Sequence, residues 1–193
     1  MLLPRALQGL ALLARAGVPV IVVTNQRGIA RGVMTGPDLE AIHDRLRSAV
    51  SAAGGRLDAI YHCPHEGPCR CRKPESGLFE DAAVDFGLRL EETALIGDQP
   101  SDMEAASRIG ALGLLVAGDG SDDPAVDQQV GYVARDLMDA VLWLRKEQYL
   151  ASDSGVDSGA PPEAGSVNLS WCTGLRAHSR EVVGRRADGP HRP

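Results

Sequence analysis

The run VPVIVV, residues 18–23, is the stretch that most restricts how this 193-residue chain can fold. It is apolar at every position and bounded by a glycine and by polar residues, so it reads as a strand covered on both faces. Such a strand needs helices on either side of its sheet, and the rest of the sequence supplies them. Residues 2–16 carry apolar side chains at helical spacing, with Pro4 suited to a first turn and Gly17 to an end. Thr35 is placed to cap a second helix over 35–53, with Asp38 three residues on and Gly54-Gly55 as the stop. LDAIYH, TALIGD and ALGLLVAG read as further strands. Ser76 is expected to cap a helix through Phe86, and 101–109 to form a helix stopped by Gly110. Asp136 is expected to cap a last helix ending near Gln148. This alternation predicts an α/β sandwich around a mostly parallel sheet.

The character changes at Ala151. Of the last 43 residues, 16 are Gly, Pro or Ser, and no apolar period persists. The sequence therefore divides into one domain, 1–150, and a tail, 151–193, expected to be disordered. The apolar N-terminus carries Pro4 and Arg15, which break a secretory pattern, so a structural helix is preferred to a signal peptide. No apolar run reaches the ~18 residues of a membrane span. A net charge of -6 and a pI near 5.3 argue against broad nucleic-acid binding. The expected setting is the cytoplasm, as a monomer.

Three of the four cysteines fall in one twelve-residue stretch, CPHEGPCRCRKP. That is no disulfide framework. Cys63, His65, Cys69 and Cys71 form C-x-H-x3-C-x-C, three thiolates and an imidazole, which make a closed structural zinc set. Buried apolar cysteines are the plain alternative. The Pro, Glu, Gly and Arg residues between them make a poor core segment. His62 is the rival ligand nearby, and Cys172 is expected to be free. Four protein ligands leave no open position, so the zinc would brace the loop that carries Arg72 and Lys73. Held at a strand end, that pair becomes a phosphate clamp.

Ligand sites in such sheets lie beyond the carboxyl ends of the strands. TNQRGIARG follows the first strand, CPHEGPCRCRKP the second and GDQPSD the third. Thr24 and Asn25 offer a hydroxyl and an amide to phosphate oxygens, although turn formers often end strands. Arg27 and Arg31 are further anion contacts. Asp98 and Asp102 offer hard carboxylate oxygens suited to magnesium. The plain alternative is that Asp102 caps its helix and Asp98 makes a turn.

TNQRGIARG, CPHEGPCRCRKP and IGDQPSDMEAA, in that order, resemble the haloacid dehalogenase (HAD) phosphatase superfamily over residues 1–148. The branch is the one with a zinc loop, which holds heptose-bisphosphate 7-phosphatases and histidinol-phosphatases. The resemblance implies a Rossmann-like (HAD) fold and magnesium-dependent hydrolysis of a sugar phosphate monoester through an aspartyl-phosphate. It gives Thr24 the task of holding the transferring phosphoryl group and Lys73 that of stabilising its charge. Asp98 would bind magnesium. Asn25, Gln26, Arg27 and Arg72 would contact the small phosphorylated sugar, with no nucleic acid or membrane as partner. Where the family often has a lysine after the last-motif Asp, this sequence has Gln99.

The same resemblance calls for a central strand ending in D-x-D-G-T ahead of the first helix. Its first Asp would be the nucleophile and its second the general acid/base. No segment has that form. AGDGSDD, 117–123, lacks the D-x-D order and comes after the fourth strand. The sheet is therefore expected to lack its first, central strand. The expectation is that about 20–50 further residues, within ordinary domain sizes, lie upstream and restore it. The alternatives are histidinol-phosphatase activity or a non-catalytic, zinc-stabilised phosphate binder.

Overall fold

The computed structural model describes residues 5–117 and 130–150. The expected tail over 151–193, with Cys172, lies outside the described residues, as do Pro4 and Asp119 to Asp123. The elements run α1 (Ala6–Arg15), β1 (Ile21–Asn25), α2 (Gly36–Ala52), β2 (Ala59–Cys63) and α3 (Gly77–Phe86). There follow β3 (Ala94–Gly97), α4 (Pro100–Ile109), β4 (Leu112–Val116), β5 (Val130–Ala134) and α5 (Leu137–Lys146).

Local chemistry accounts for most boundaries. Gly17 at φ +67° closes α1, and Gly110 at φ +69° closes α4. Thr35 and Asp38 form the expected capping box of α2: the Asp38 N–H donates to Thr35 Oγ1, and the Thr35 N–H to Asp38 Oδ2. Asp136 caps α5 by accepting the Asp139 N–H at 2.8 Å. Ser76 departs from expectation. Its backbone is already helical and its hydroxyl donates to Glu80 at 2.5 Å, so it does not cap α3. Helix α5 stops at Lys146, two residues before Gln148, which takes φ +60°. The fifth strand was not expected from the sequence.

All strand pairs are parallel, but the described strands make two separate ladders, β2-β1 and β3-β4-β5. No ladder joins β1 to β3 among the described residues. The two ladders nevertheless share both cores. Val20, Ala94, Ile96 and Leu114 pack with α1 and α5 on one face. Ile21, Val23, Tyr61 and Leu95 pack with α3 and α4 on the other. The alternation of Ala94, Leu95 and Ile96 between faces is the pleat of a strand covered on both sides.

The register shows which way the edge of β1 looks. The Asp58 N–H donates to Val20 O and the Gln26 N–H to Cys63 O. Even-numbered residues of β1 thus turn their peptide groups toward β2, and Ile21, Val23 and Asn25 turn theirs away. By the same rule, Thr93 O accepts from Leu112, so Ala94 and Ile96 of β3 face away from β4.

Candidate active site

The metal-type cluster forms at the end of β2. Cys63 is the last residue of that strand, and the chain then doubles back so that Cys69 and Cys71 return to it. One donor atom from each of Cys63, His65, Cys69 and Cys71 lies within 4.8 Å of the others. The sulfurs stand 3.2–3.5 Å apart, and His65 Nδ1 lies 3.2 Å from Cys71 Sγ and 3.7 Å from Cys63 Sγ. A zinc tetrahedron with bonds near 2.3 Å has edges of about 3.8 Å, so the sulfurs need move apart by only a few tenths of an ångström to take zinc. His62, the rival ligand, is buried elsewhere, its ring 5.8 Å from that of His43.

The thiols share their protons unequally. Burial pushes the Cys71 thiol well up, reinforced by Cys63 and Cys69, and burial also raises Cys63. Burial works upward on Cys69 too, but hydrogen bonds from Cys71, Cys63 and the Arg72 backbone outweigh it and bring that thiol to about 7. Three thiolates in such contact need a cation among them.

Lys73 emerges from this loop at the end of β1. Its Nζ donates to the Val23 carbonyl at 2.5 Å, on the side of β1 that faces away from β2. It also stands 2.7 Å from Asp102 Oδ1, in an ion pair not aligned as a hydrogen bond; the two side chains are 15% and 5% exposed. Asp102 sits in the first turn of α4, directly after β3. Lys73 therefore bridges the two ladders and shows that the carboxyl ends of β1 and β3 meet. Asp102 Oδ2 accepts the Gln99 N–H at 3.1 Å. A Cβ on Gly97 would come within 2.4 Å of the Asp102 side chain, so only glycine lets that carboxylate reach Lys73.

The other sequence-predicted residues gather around this point. Gln26 Nε2 donates to Thr24 Oγ1 at 3.0 Å, which leaves the Thr24 O–H to donate elsewhere. Both polar atoms of the Asn25 amide engage the Lys73 backbone. Arg72 Nη1 donates to the His65 carbonyl at 3.1 Å and so braces the cysteine loop. Arg31 pairs with Glu66, clasping the loop after β1 to the loop after β2. The Arg31 hydrogen bond, with Arg27 and Arg72 adding charge, holds the Glu66 carboxyl below its ordinary range. Asp98 is exposed at the tip that follows β3. Asp102, expected as a further magnesium ligand, is turned to Lys73 and Gln99. Sequence reasoning missed the Asn25, Glu66 and Asp102 pairings, which join residues far apart in the chain.

The fold and the placing of these residues are of the HAD type, and comparison with known proteins agrees. The HAD-hydrolase-like family model matches residues 70–140. The D-glycero-beta-D-manno-heptose-1,7-bisphosphate 7-phosphatase of Bordetella bronchiseptica is 41% identical over 117 residues, 59% of this chain and 65% of that protein. Its namesake in Pseudomonas putida is 43% identical over 59% of this chain and 66% of its own length. The crystal structure of the B. bronchiseptica D,D-heptose 1,7-bisphosphate phosphatase, complexed with magnesium and phosphate, superposes with TM-score 0.70. It is 35% identical, over 76% of this chain and 85% of that one. The Burkholderia thailandensis enzyme of the same name gives TM-score 0.57 at 30% identity, over 74% and 85%. The chain belongs to the HAD-like hydrolase family. It spans just under two thirds of these curated relatives' length. No helix among the described residues is long and apolar enough to cross a membrane.

Proposed function

We propose that the chain forms the greater part of a magnesium-dependent phosphatase that removes the 7-phosphate of D-glycero-D-manno-heptose 1,7-bisphosphate. The observation that carries this reading is the contact of Lys73 with both Val23 O and Asp102, which brings together the strand ends that Thr24 and Asp98 follow, beside a Cys3His cluster. The similarity to heptose bisphosphatases supports it. Thr24 would donate its O–H to an oxygen of the transferring phosphoryl group. Lys73 would set its charge against the growing negative charge there. Gln26, Arg27 and Arg72 would contact substrate. Asp98 would hold magnesium, which when bound offsets phosphate charge. The cage would hold zinc as a structural ion. The enzyme would act in the cytoplasm as a monomer.

The carboxylate nucleophile would come on a strand seated between β1 and β3, where the peptide groups of Ile21 and Ile96 face away from β2 and β4. Its attack on phosphorus would break the bond to the sugar oxygen, a second carboxyl would protonate that oxygen, and water would then release inorganic phosphate. The test is phosphate release from heptose 1,7-bisphosphate and from histidinol phosphate with magnesium present. The 193-residue chain is compared with one extended at its N-terminus by a D-x-D-G-T strand. Turnover of the heptose bisphosphate by the extended chain alone, lost in Asp98→Asn, is expected. Preference for histidinol phosphate would reassign the substrate. Turnover by the 193-residue chain would place the nucleophile elsewhere, and silence in both would leave a non-catalytic phosphate binder.

A further inference from the structure

We propose that Asn25 is a positioning residue, which fixes the peptide of Lys73 instead of touching substrate. The inference rests on the phosphate-site reading above and adds a role that the motif alone does not suggest. A carboxamide carries a donor and an acceptor side by side. Asn25 spends one of each on a single residue 48 positions away: Nδ2–H donates to Lys73 O at 3.1 Å, and the Lys73 N–H donates to Oδ1 at 3.0 Å. The contact is partly buried, so water competes for it poorly.

Without this contact the Lys73 backbone would be tethered from one side only. Cys71, two residues earlier, belongs to the cage, and Arg72 ties back to His65 O. Asn25 ends β1 and anchors the same backbone from the other side. The ammonium is then delivered to Val23 O and Asp102. A long flexible side chain becomes a point charge of fixed position. The side chain next to Thr24 thus serves the lysine, and Thr24 and Lys73 are set against each other by one carboxamide.

The composition makes the test clean. The full chain holds two lysines, 73 and 146, and two asparagines, 25 and 168. Isotope labelling of Lys and Asn gives one signal set per residue, assigned with single variants, and Lys146 serves as the reference. Three quantities are read: hydrogen exchange of the Lys73 N–H, the shift of the Lys73 side chain with inorganic phosphate and magnesium, and the shift of the Asn25 carboxamide in the same titration. The Lys73 N–H should be protected before any phosphate is added. Asn25→Ala should cut that protection and the phosphate affinity by about tenfold each, the weight of one hydrogen bond. Asn25→Asp keeps an acceptor for the Lys73 N–H and should restore much of the protection. Phosphate should move Lys73 signals and leave the Asn25 carboxamide in place.

Unchanged Lys73 protection in Asn25→Ala overturns the proposal. So does an Asn25 carboxamide that shifts with phosphate as strongly as Lys73, a measurement on the unaltered chain that needs no variant to fold. If phosphate moves neither lysine, the phosphate-site reading fails. Protection of the Lys73 N–H then decides the Asn25 contact alone.

Discussion

The loops that follow β1 and β2 are held by partners far away in sequence, whereas the loop after β3 is held by its own next turn. In the first pair, Asn25 reaches Lys73 and Arg31 reaches Glu66, and a shorter-range brace joins Cys63 to Cys69 and Cys71. After β3 only Asp98 and Gln99 intervene before α4, and Asp102 closes back on the Gln99 N–H three residues away. Long-range bracing places charge with more freedom, since any residue can be recruited. It also fails as a unit when one brace goes. Local capping is confined to the helix start, but it survives damage elsewhere.

Metal is the brace whose loss should cost most. One zinc per chain is expected on elemental analysis, with none retained by Cys71→Ser or after chelation. Ligand binding of this kind is folding energy, so amides over residues 63–73 should lose exchange protection while those of α4 keep theirs. Equal loss in both regions would erase the distinction between the two kinds of loop.

A smaller effect should follow from cutting the ion pair that joins the strand ends of the two ladders. Lys73→Met leaves the Asp102 carboxylate buried without its cation, which should cost about 3 kcal/mol in urea unfolding. Adding Asp102→Asn should recover most of that loss. A double variant as unstable as the sum of the singles would show that Lys73 and Asp102 are not coupled.

The acid limb of stability offers a third and weaker effect, seated in the half that carries β1 and β2. His43 is buried on α2 against His62. Burial lowers its pKa, with Glu40 and Asp44 working upward and His62 and Arg47 downward. The neutral form is thus favoured by folding. That contribution is complete above the unfolded pKa of about 6.5 and is lost as pH falls from there through the lower folded value. Unfolding free energies at pH 7.5 and 5.5 should converge more in His43→Gln than in the unaltered chain.

The smallest change should come from Glu66→Gln. Both members of its pair with Arg31 are about half exposed, so the melting temperature should not move. Inorganic phosphate should bind slightly more tightly, because Arg27, Arg31 and Arg72 lose a competing anion. Weaker binding would mean that the clasp orders the site more than it screens it.

The same contrast explains what could be read from the sequence. β1 was legible because the run 18–23 that leads into it is apolar throughout, and the cage because its ligands fall within nine residues, Cys63 to Cys71. The caps of α2 and α5 were legible because they act over three residues. β5 was not. Its residues alternate between partly covered and exposed, Gly131 interrupts it, and Val133 is 40% exposed, so it lacks the apolar run that marks β1. Ser76 has the right residue type for a cap, but the chain has already turned helical there and the hydroxyl finds Glu80. The bond from Asn25 to Lys73 spans 48 residues and has no signature in spacing. Asp102 could be seen as a carboxylate near a helix start, but its ion pair with Lys73 depends on how β1 and β3 meet.

The seclusion of Lys73 sets the chain's reactivity toward amine reagents. An acylating ester needs an accessible, deprotonated amine. Lys73 is hemmed in by a carbonyl and a carboxylate, while the Lys146 side chain is 80% exposed beside Glu147. With no third lysine in the sequence, mild acylation should tag Lys146 first among the side-chain amines. A fluorophore or a surface linker attached in this way would sit at the end of α5 and leave the ammonium at the strand ends chemically intact.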